Sequence, residues 1–289
     1  MTPVARAPGK VNLCLFLGPI RADGRHELVT MFESVSLADE VALAVAAAEG
    51  VPDQVVCPGV EGANIVTQTL EGLRARGWAA PPVRVVIEKR IPVAGGMAGG
   101  SADAAAVLRL APALAPVPVG VVEELAVALG ADVPSALVPG VAIGSRVGDV
   151  VERIGPLAPH AFVIVPQPFG LLTGEVFREA DRLGLPRDQA ELAERLRSLR
   201  ATADPGFVND LEPAAVSLRP EIGDALDAVR AAGADHAMVS GSGPTVFGVF
   251  DGADAAAEAD AAAARLAERY PGAVSAAPVS EEFGAPRGS

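Results

Sequence analysis

The sequence predicts an α+β protein of two domains, and three observations carry that expectation. The first third of the chain is a succession of apolar, β-prone runs. A glycine-rich loop at residues 95–101 then joins a strand-like run to a strong helix former. After Pro156 the pattern restarts as strand, helix, strand, strand, helix, strand, the order of a ferredoxin-like unit. The expected division is an N-terminal domain over residues 1–156 and a C-terminal domain over residues 157–289.

The elements follow in chain order. Residues 11–17 (VNLCLFL) form a compact apolar run, and the Asp23-Gly24 pair marks a turn after it. Strands are expected at 27–37, 40–45 and 83–88. A helix is expected over 102–110, where alanines dominate, and another over 121–129, stopped by Gly130. The second half gives a strand at 162–165 and helices at 174–183, 190–199 and 213–232. Strands at 237–239 and 245–250, an Ala-rich helix over 254–270 and a strand at 273–277 complete it, with 281–289 read as a frayed tail.

Composition narrows the function classes. The 289 residues are half hydrophobic and one-fifth charged, which supports a packed core and excludes overall disorder. Only 4% are aromatic, so that core must be aliphatic. A net charge of −13 argues against non-specific nucleic-acid binding, which needs a basic footprint. It does not argue against an anionic small molecule, which is held by local donors. Cys14 and Cys57 are too few for a disulfide framework, and no CxxC or Cys/His cluster suggests a protein-held metal. The N-terminal residues lack the charged-then-apolar layout of a signal peptide, and no apolar run approaches a membrane span. The expected location is the cytoplasm, with no membrane partner.

The loop Gly95-Gly96-Met97-Ala98-Gly99-Gly100-Ser101 is the most informative feature. A strand, a glycine-rich turn and a helix N-terminus together hold phosphate: glycine lets the backbone come close, while free N–H groups and the helix dipole favour negative charge. The GxxxxGK[ST] pattern is absent, and Asp103 in the first turn of the following helix departs from a dinucleotide fingerprint. Taken alone, the loop is as compatible with an ordinary turn as with a phosphate site.

Two further segments accompany it: Ala7-Pro8-Gly9-Lys10-Val11-Asn12-Leu13, and Ser240-Gly241-Ser242-Gly243-Pro244-Thr245. The three motifs, in this order, resemble those of the GHMP kinases, and the resemblance spans nearly the whole chain. The segment Asp23-Gly24-Arg25-His26-Glu27-Leu28, with Leu129-Gly130-Ala131-Asp132-Val133-Pro134, is similar to the diphosphocytidyl-methylerythritol kinase branch. The resemblance implies a ribosomal-protein-S5-domain-2-like ATP-binding domain followed by a ferredoxin-like domain. It implies ATP and Mg²⁺, a cytidine diphosphate compound as small-molecule partner, and transfer of phosphate to its 2-hydroxyl in non-mevalonate isoprenoid synthesis. A monomer or homodimer is expected. The rival readings are another GHMP kinase, or a non-catalytic nucleotide-binding protein of the same fold.

The resemblance also distributes roles. Asp132 becomes the catalytic base, although on the residues alone it reads as an N-cap before Pro134. Lys10 becomes its cationic partner, and Asn12, two residues on along a strand, shares its face. His26 is implied as a hydrogen-bonding partner of the cytosine, Phe177 as its stacking ring, and Arg25 stands where relatives usually carry an aromatic. Asn64 and Lys89 fall in the adenine region. Gly95, Gly96, Gly99, Gly100, Ser101 and Asp103 belong to the ATP site, and Gly241, Ser242, Gly243 and Thr245 to a loop beside it. No residue is assigned to a metal.

Overall fold

The computed structural model describes residues 2–47, 50–60 and 62–288. Met1 and Ser289, the outermost residues of the expectations for the two ends, lie outside the described residues. The N-terminal half is built on two long antiparallel strands, β1 (Val4–Ile20) and β2 (His26–Val45). The two strands expected at 27–37 and 40–45 are one. An Asp inside a strand is ordinarily unfavourable. The buried Asp39 carboxylate is instead satisfied, accepting the N–H groups of Arg90 and Ile91 and the Lys89 ammonium. The β1–β2 register shifts between Pro8 and Lys10 and between Asn12 and Cys14, and such bulges re-aim side chains.

Around this pair lie β3 (Gln54–Val56), β4 (Val83–Glu88), β5 (Val141–Ser145) and β6 (Val150–Arg153), in the order β3-β4-β2-β5-β6 with β1 on β2. Helices α1 (Ile65–Ala75), α2 (Gly99–Leu110), α3 (Val121–Leu129) and α4 (Val133–Leu137) accompany them. Alanines 104–106 of α2 are fully buried among Leu70, Leu73, Trp78, Val85 and Ile87. Small side chains let this helix lie close to the sheet, bringing its N-terminus against β1.

The second sheet is antiparallel, in the order β10 (Val274–Ala276), β7 (His160–Val165), β9 (Val246–Asp251), β8 (His236–Val239). This is the ferredoxin-like arrangement that the element order predicted. Helices α5 (Thr173–Leu183), α6 (Gln189–Thr202) and α9 (Ala255–Leu266) match expectation to within a few residues. The helix expected over 213–232 is two, α7 (Glu212–Leu218) and α8 (Glu221–Ala231). Arg219 precedes Pro220 and takes φ −142° and ψ 89°, because proline disfavours a helical residue before it.

The sheets share one apolar cluster, in which Leu13, Met31 and Ile143 meet Phe162, Ile164 and Phe247. The end of the chain, expected to fray, is docked. Glu281–Gly284 form a short 3₁₀ turn, and Arg287 exchanges backbone hydrogen bonds with Val4 at 2.8 and 3.0 Å. The Arg109 guanidinium also reaches it, donating to the carbonyls of Gly284, Ala136 and Arg6.

A buried ion pair also crosses between the sheets: His160 Nε2 lies 2.8 Å from Glu33 Oε2, while Nδ1 faces the Ala158 carbonyl at 2.7 Å. Burial disfavours the imidazolium, but the hydrogen bond and charge of Glu33 outweigh it, and the His160 pKa is raised above 6.5. A raised folded-state pKa gives stability that is complete below the unfolded value and lost as pH rises through the folded one. Thermal unfolding followed from about pH 6 to about pH 9 should therefore show a loss of stability that is absent in His160→Gln. Equal slopes for both proteins would exclude this pair as the origin.

Candidate active site

A cleft of about 580 Å³ opens between the glycine loop, β1, β2 and the loop after β8. Lys10 stands at its floor. The ammonium donates to Asn12 Oδ1 at 2.5 Å and to the Gly96 carbonyl at 3.0 Å. Asn12 is buried and donates in turn to Thr30 Oγ1 at 2.7 Å, and Thr30 donates to the Cys14 carbonyl at 2.6 Å. Both ends of the Asn12 amide are therefore spent on the protein, and its part is to fix Lys10. Burial lowers the Lys10 pKa, with the Asp132 charge partly opposing the shift.

Asp132 lies at the start of α4, with φ −85° and ψ −13° and no side-chain capping bond. The N-cap reading fails at this point, and the carboxylate is left to line the cleft. A carboxylate and an ammonium facing one space can orient a hydroxyl, take its proton and stabilise the charge that develops.

The glycine loop performs two tasks. Gly99, Gly100 and Ser101 begin α2, so their N–H groups point toward the cleft. Ala98 just before them has φ 56°, so the left-handed turn is made here without glycine. Gly96 answers to a different constraint. It has φ 78°, and a Cβ there would stand 2.3 Å from the Ser240 carbonyl oxygen. The second glycine loop is packed directly on the first: Ser240 Oγ donates to the Gly96 carbonyl at 3.1 Å, and Thr245 N to the Gly95 carbonyl at 3.3 Å.

On the far wall, Lys89 Nζ bonds Asp39 and, at 2.8 Å, Asp103 Oδ2. Burial pushes the Asp103 carboxyl up to about 7, with Lys89 opposing and Asp39 adding to the shift. Asn64 caps α1 by accepting Val66 N–H at 2.9 Å and also lines the cleft. Phe177 presents its ring from α5.

Four predicted residues are placed elsewhere. Arg25 is on the surface, tied to Asp23 at 3.0 Å, because the turn it ends leads outward. His26 is buried behind Phe177, ring centroids 5.3 Å apart. Its nitrogens already meet the Gly18 carbonyl at 2.9 Å and Asp181 at 3.3 Å, and it does not line the cleft. Gly243 and Thr245 are packed beneath their loop, so Gly241 and Ser242 alone represent it in the cleft.

The comparisons show the family and the fold. The models described as "GHMP kinases N terminal domain" and "GHMP kinases C terminal" match residues 64–140 and 182–271. A 4-diphosphocytidyl-2-C-methyl-D-erythritol kinase of Streptomyces coelicolor is 43% identical, covering 85% of this chain and 86% of that one. The enzyme of the same name from Thermobifida fusca is 40% identical over 89% and 90% of the two chains. The chain belongs to the 4-diphosphocytidyl-2-C-methyl-D-erythritol kinase family of the GHMP kinases. A solved 4-(cytidine 5'-diphospho)-2C-methyl-D-erythritol kinase superposes with a TM-score of 0.73 at 33% identity, covering 94% of this chain and 98% of its own. A homoserine kinase from Cytophaga hutchinsonii, 19% identical with a TM-score of 0.60, covers 99% and 96% and shares the GHMP fold.

Sequence reasoning missed Asp39, Thr30 and Asn209, all buried polar groups whose partners are distant along the chain. A charged residue inside an apolar strand was the one available signal, and only for Asp39. The loop packing yields a prediction for Gly96→Ala. Both the positive φ and the Ser240 oxygen oppose a side chain, so this kinase fold should lose about 2 kcal/mol of stability. Turnover should fall with it, because the Gly96 carbonyl also holds Lys10. Calorimetric unfolding and a turnover assay on one preparation would check both, and an unchanged melting temperature would refute the packing argument.

Proposed function

We propose that this protein transfers the terminal phosphoryl group of ATP to the 2-hydroxyl of 4-diphosphocytidyl-2-C-methyl-D-erythritol, a step of non-mevalonate isoprenoid synthesis in the cytoplasm. The observation that carries the reading is the convergence of Lys10, the uncapped Asp132 and the glycine loop on one cleft in a chain of this family.

In this reading Asp132 accepts the proton of the acceptor hydroxyl as its oxygen bonds to the terminal phosphorus. The bond from that phosphorus to the bridging oxygen breaks, and ADP leaves. Lys10, held by Asn12 and the Gly96 carbonyl, stabilises the negative charge on the reacting oxygens. The Asp132 charge, which opposes the effect of burial on Lys10, favours the ammonium form that this role requires. The N–H groups of 99–101 donate to phosphate oxygens, and Asn64 and Lys89 serve the adenine end, with Asp103 bonded to Lys89. Phe177 offers a ring face to the cytosine, and His26, anchored on Gly18 and Asp181, holds that ring in place.

We assign Mg²⁺ to the nucleotide phosphates. Among the described residues no group of three His, Cys, Asp or Glu side chains could hold a metal. The hydroxyl of Ser101 supplies a hard oxygen donor at the loop, which suits an ion that arrives with its phosphates and keeps its waters. Bound there, it would neutralise phosphate charge. We divide the chain into ATP-binding and acceptor domains at 156/157. One chain supplies every group named, so monomer and homodimer serve equally.

ADP release with Mg-ATP should occur with the cytidine substrate and not with mevalonate, homoserine or galactose. Turnover of another alcohol would overturn the acceptor assignment, and no turnover with any of them, despite ATP binding, would favour a non-catalytic role. Asp132→Asn should lower kcat by about 100-fold or more, with ATP affinity by calorimetry unaltered. Normal turnover in that variant would end the base assignment.

A further inference from the structure

The glycine motifs do not explain the segment Val208-Asn209-Asp210-Leu211-Glu212, of which only Leu211 lines the cleft. It runs from the loop after α6 into the first residue of α7, outside the three family motifs, yet nearly every polar group in it is committed. Val208 O accepts from Leu15 N at 2.7 Å, and Asp210 N donates to the Leu15 carbonyl at 2.9 Å. The Asp210 carboxylate takes Leu17 N at 2.9 Å and both arms of the Arg187 guanidinium. Glu212 takes Val239 N at 2.9 Å. The segment thus ties β1, the strand carrying Lys10, to the end of β8, from which the second glycine loop springs.

Asn209 is the centre of this tie. It is buried, and its Nδ2 donates to the carbonyls of Val239 and Gly241, each at 2.8 Å. Its Oδ1 accepts Leu211 N–H at 2.9 Å. Two carbonyls on one side and an N–H on the other fix which end of the amide is which. In a planar trans peptide the C=O and the following N–H point in opposite directions. With the Gly241 carbonyl held on Asn209, the N–H of Ser242 is turned the other way. Ser242 lines the cleft, and among the described residues its N–H donates to no protein acceptor. Gly241 itself lies against the machinery: a Cβ there would stand 3.2 Å from Asn12 Oδ1 and 3.3 Å from Lys10 Nζ.

We infer that Asn209 is a positioning residue, which by holding the Gly241 carbonyl aims the Ser242 N–H into the cleft as a donor to a phosphate oxygen of the reacting complex. The inference rests on the kinase reading above and names a further donor for it. The oxygen belongs either to the terminal phosphoryl group of ATP or to the diphosphate of the acceptor, and both present the same chemistry to an N–H.

Asn209→Asp keeps the shape and the Oδ1 contact to Leu211 but sets a carboxylate against two carbonyls. Asn209→Ser removes the reach to both carbonyls in a small neutral side chain, and serves if the aspartate variant does not fold. For whichever variant unfolds cooperatively, kcat should fall about 100-fold, the scale of one lost transition-state donor, with the KM for ATP changed by less than about threefold. A merely structural role would lower the melting temperature and leave kcat per folded molecule intact, which would overturn the inference. A second readout does not depend on turnover. In the wild-type protein the Ser242 amide resonance should shift on adding β,γ-methylene-ATP if the nucleotide supplies the oxygen, or on adding CDP if the acceptor does. The shift should vanish in the Asn209 variant. No response to either ligand would overturn the donor, whereas failure of the wild-type enzyme to turn over the cytidine substrate would overturn the kinase reading alone.

Discussion

The Gly96 carbonyl is the point on which the site depends. It accepts the Lys10 ammonium at 3.0 Å and the Ser240 hydroxyl at 3.1 Å, so one oxygen joins β1, the phosphate loop and the loop after β8. Contact this close requires both segments to be bare where they cross, and each has glycine there: Gly96 on one side and Gly241 on the other. The glycines that look from the sequence like a phosphate cradle are therefore divided between two tasks. Those at 99 and 100 present N–H groups, while Gly96 lets two loops pack with no side chain between them. The position of Lys10 follows from that packing, and the apolar layer shared by the two sheets keeps the loops from separating.

Much of this was legible in the sequence, for a physical reason. The glycine loops are short and local, and close backbone approach restricts the residues they can carry, whereas the roles of Lys10 and Asp132 were legible only through the resemblance to the GHMP kinases. The C-terminal unit was legible as well, because its strands and helices alternate with clear turn signals. The remainder depended on long-range partners. Asp39 looks like a strand break until Arg90, Ile91 and Lys89 are seen to satisfy it. β5 and β6 leave only weak patterns, with Gly144 where Phe32 packs close above the strand. The docked tail depends on Arg109, more than 170 residues away along the chain. His26 and Arg25 adjoin in sequence, yet the turn sends one inward to Gly18 and the other out to Asp23.

The acidic chain poses an electrostatic question, since both substrates of the proposed reaction carry phosphates. Lys89 is not the answer. Its ammonium sits between Asp39 and Asp103, so the group of three carries no net positive charge in either protonation state of Asp103. What the group does is structural: Asp39 holds the backbone entering the glycine loop, and Lys89 Nζ would stand 3.2 Å from a Cβ at Gly99, propping the turn into α2.

The attraction for phosphate must then come from groups that remain unneutralised. These are the N–H groups at the start of α2, reinforced by its dipole, and Lys10, whose nearest bonded partners are an amide oxygen and a carbonyl and not a carboxylate. Asp132 acts on Lys10 through its charge but makes no ion pair with it within 4.0 Å among the described residues. That separation matters. In the proposed reaction, a tight Lys10–Asp132 pair would cancel the cation offered to the phosphoryl group and occupy the carboxylate offered to the hydroxyl. Asn12 and Gly96 prevent the collapse by holding the ammonium on neutral oxygens, and this explains why a buried asparagine on β1 spends its amide on a lysine two residues away.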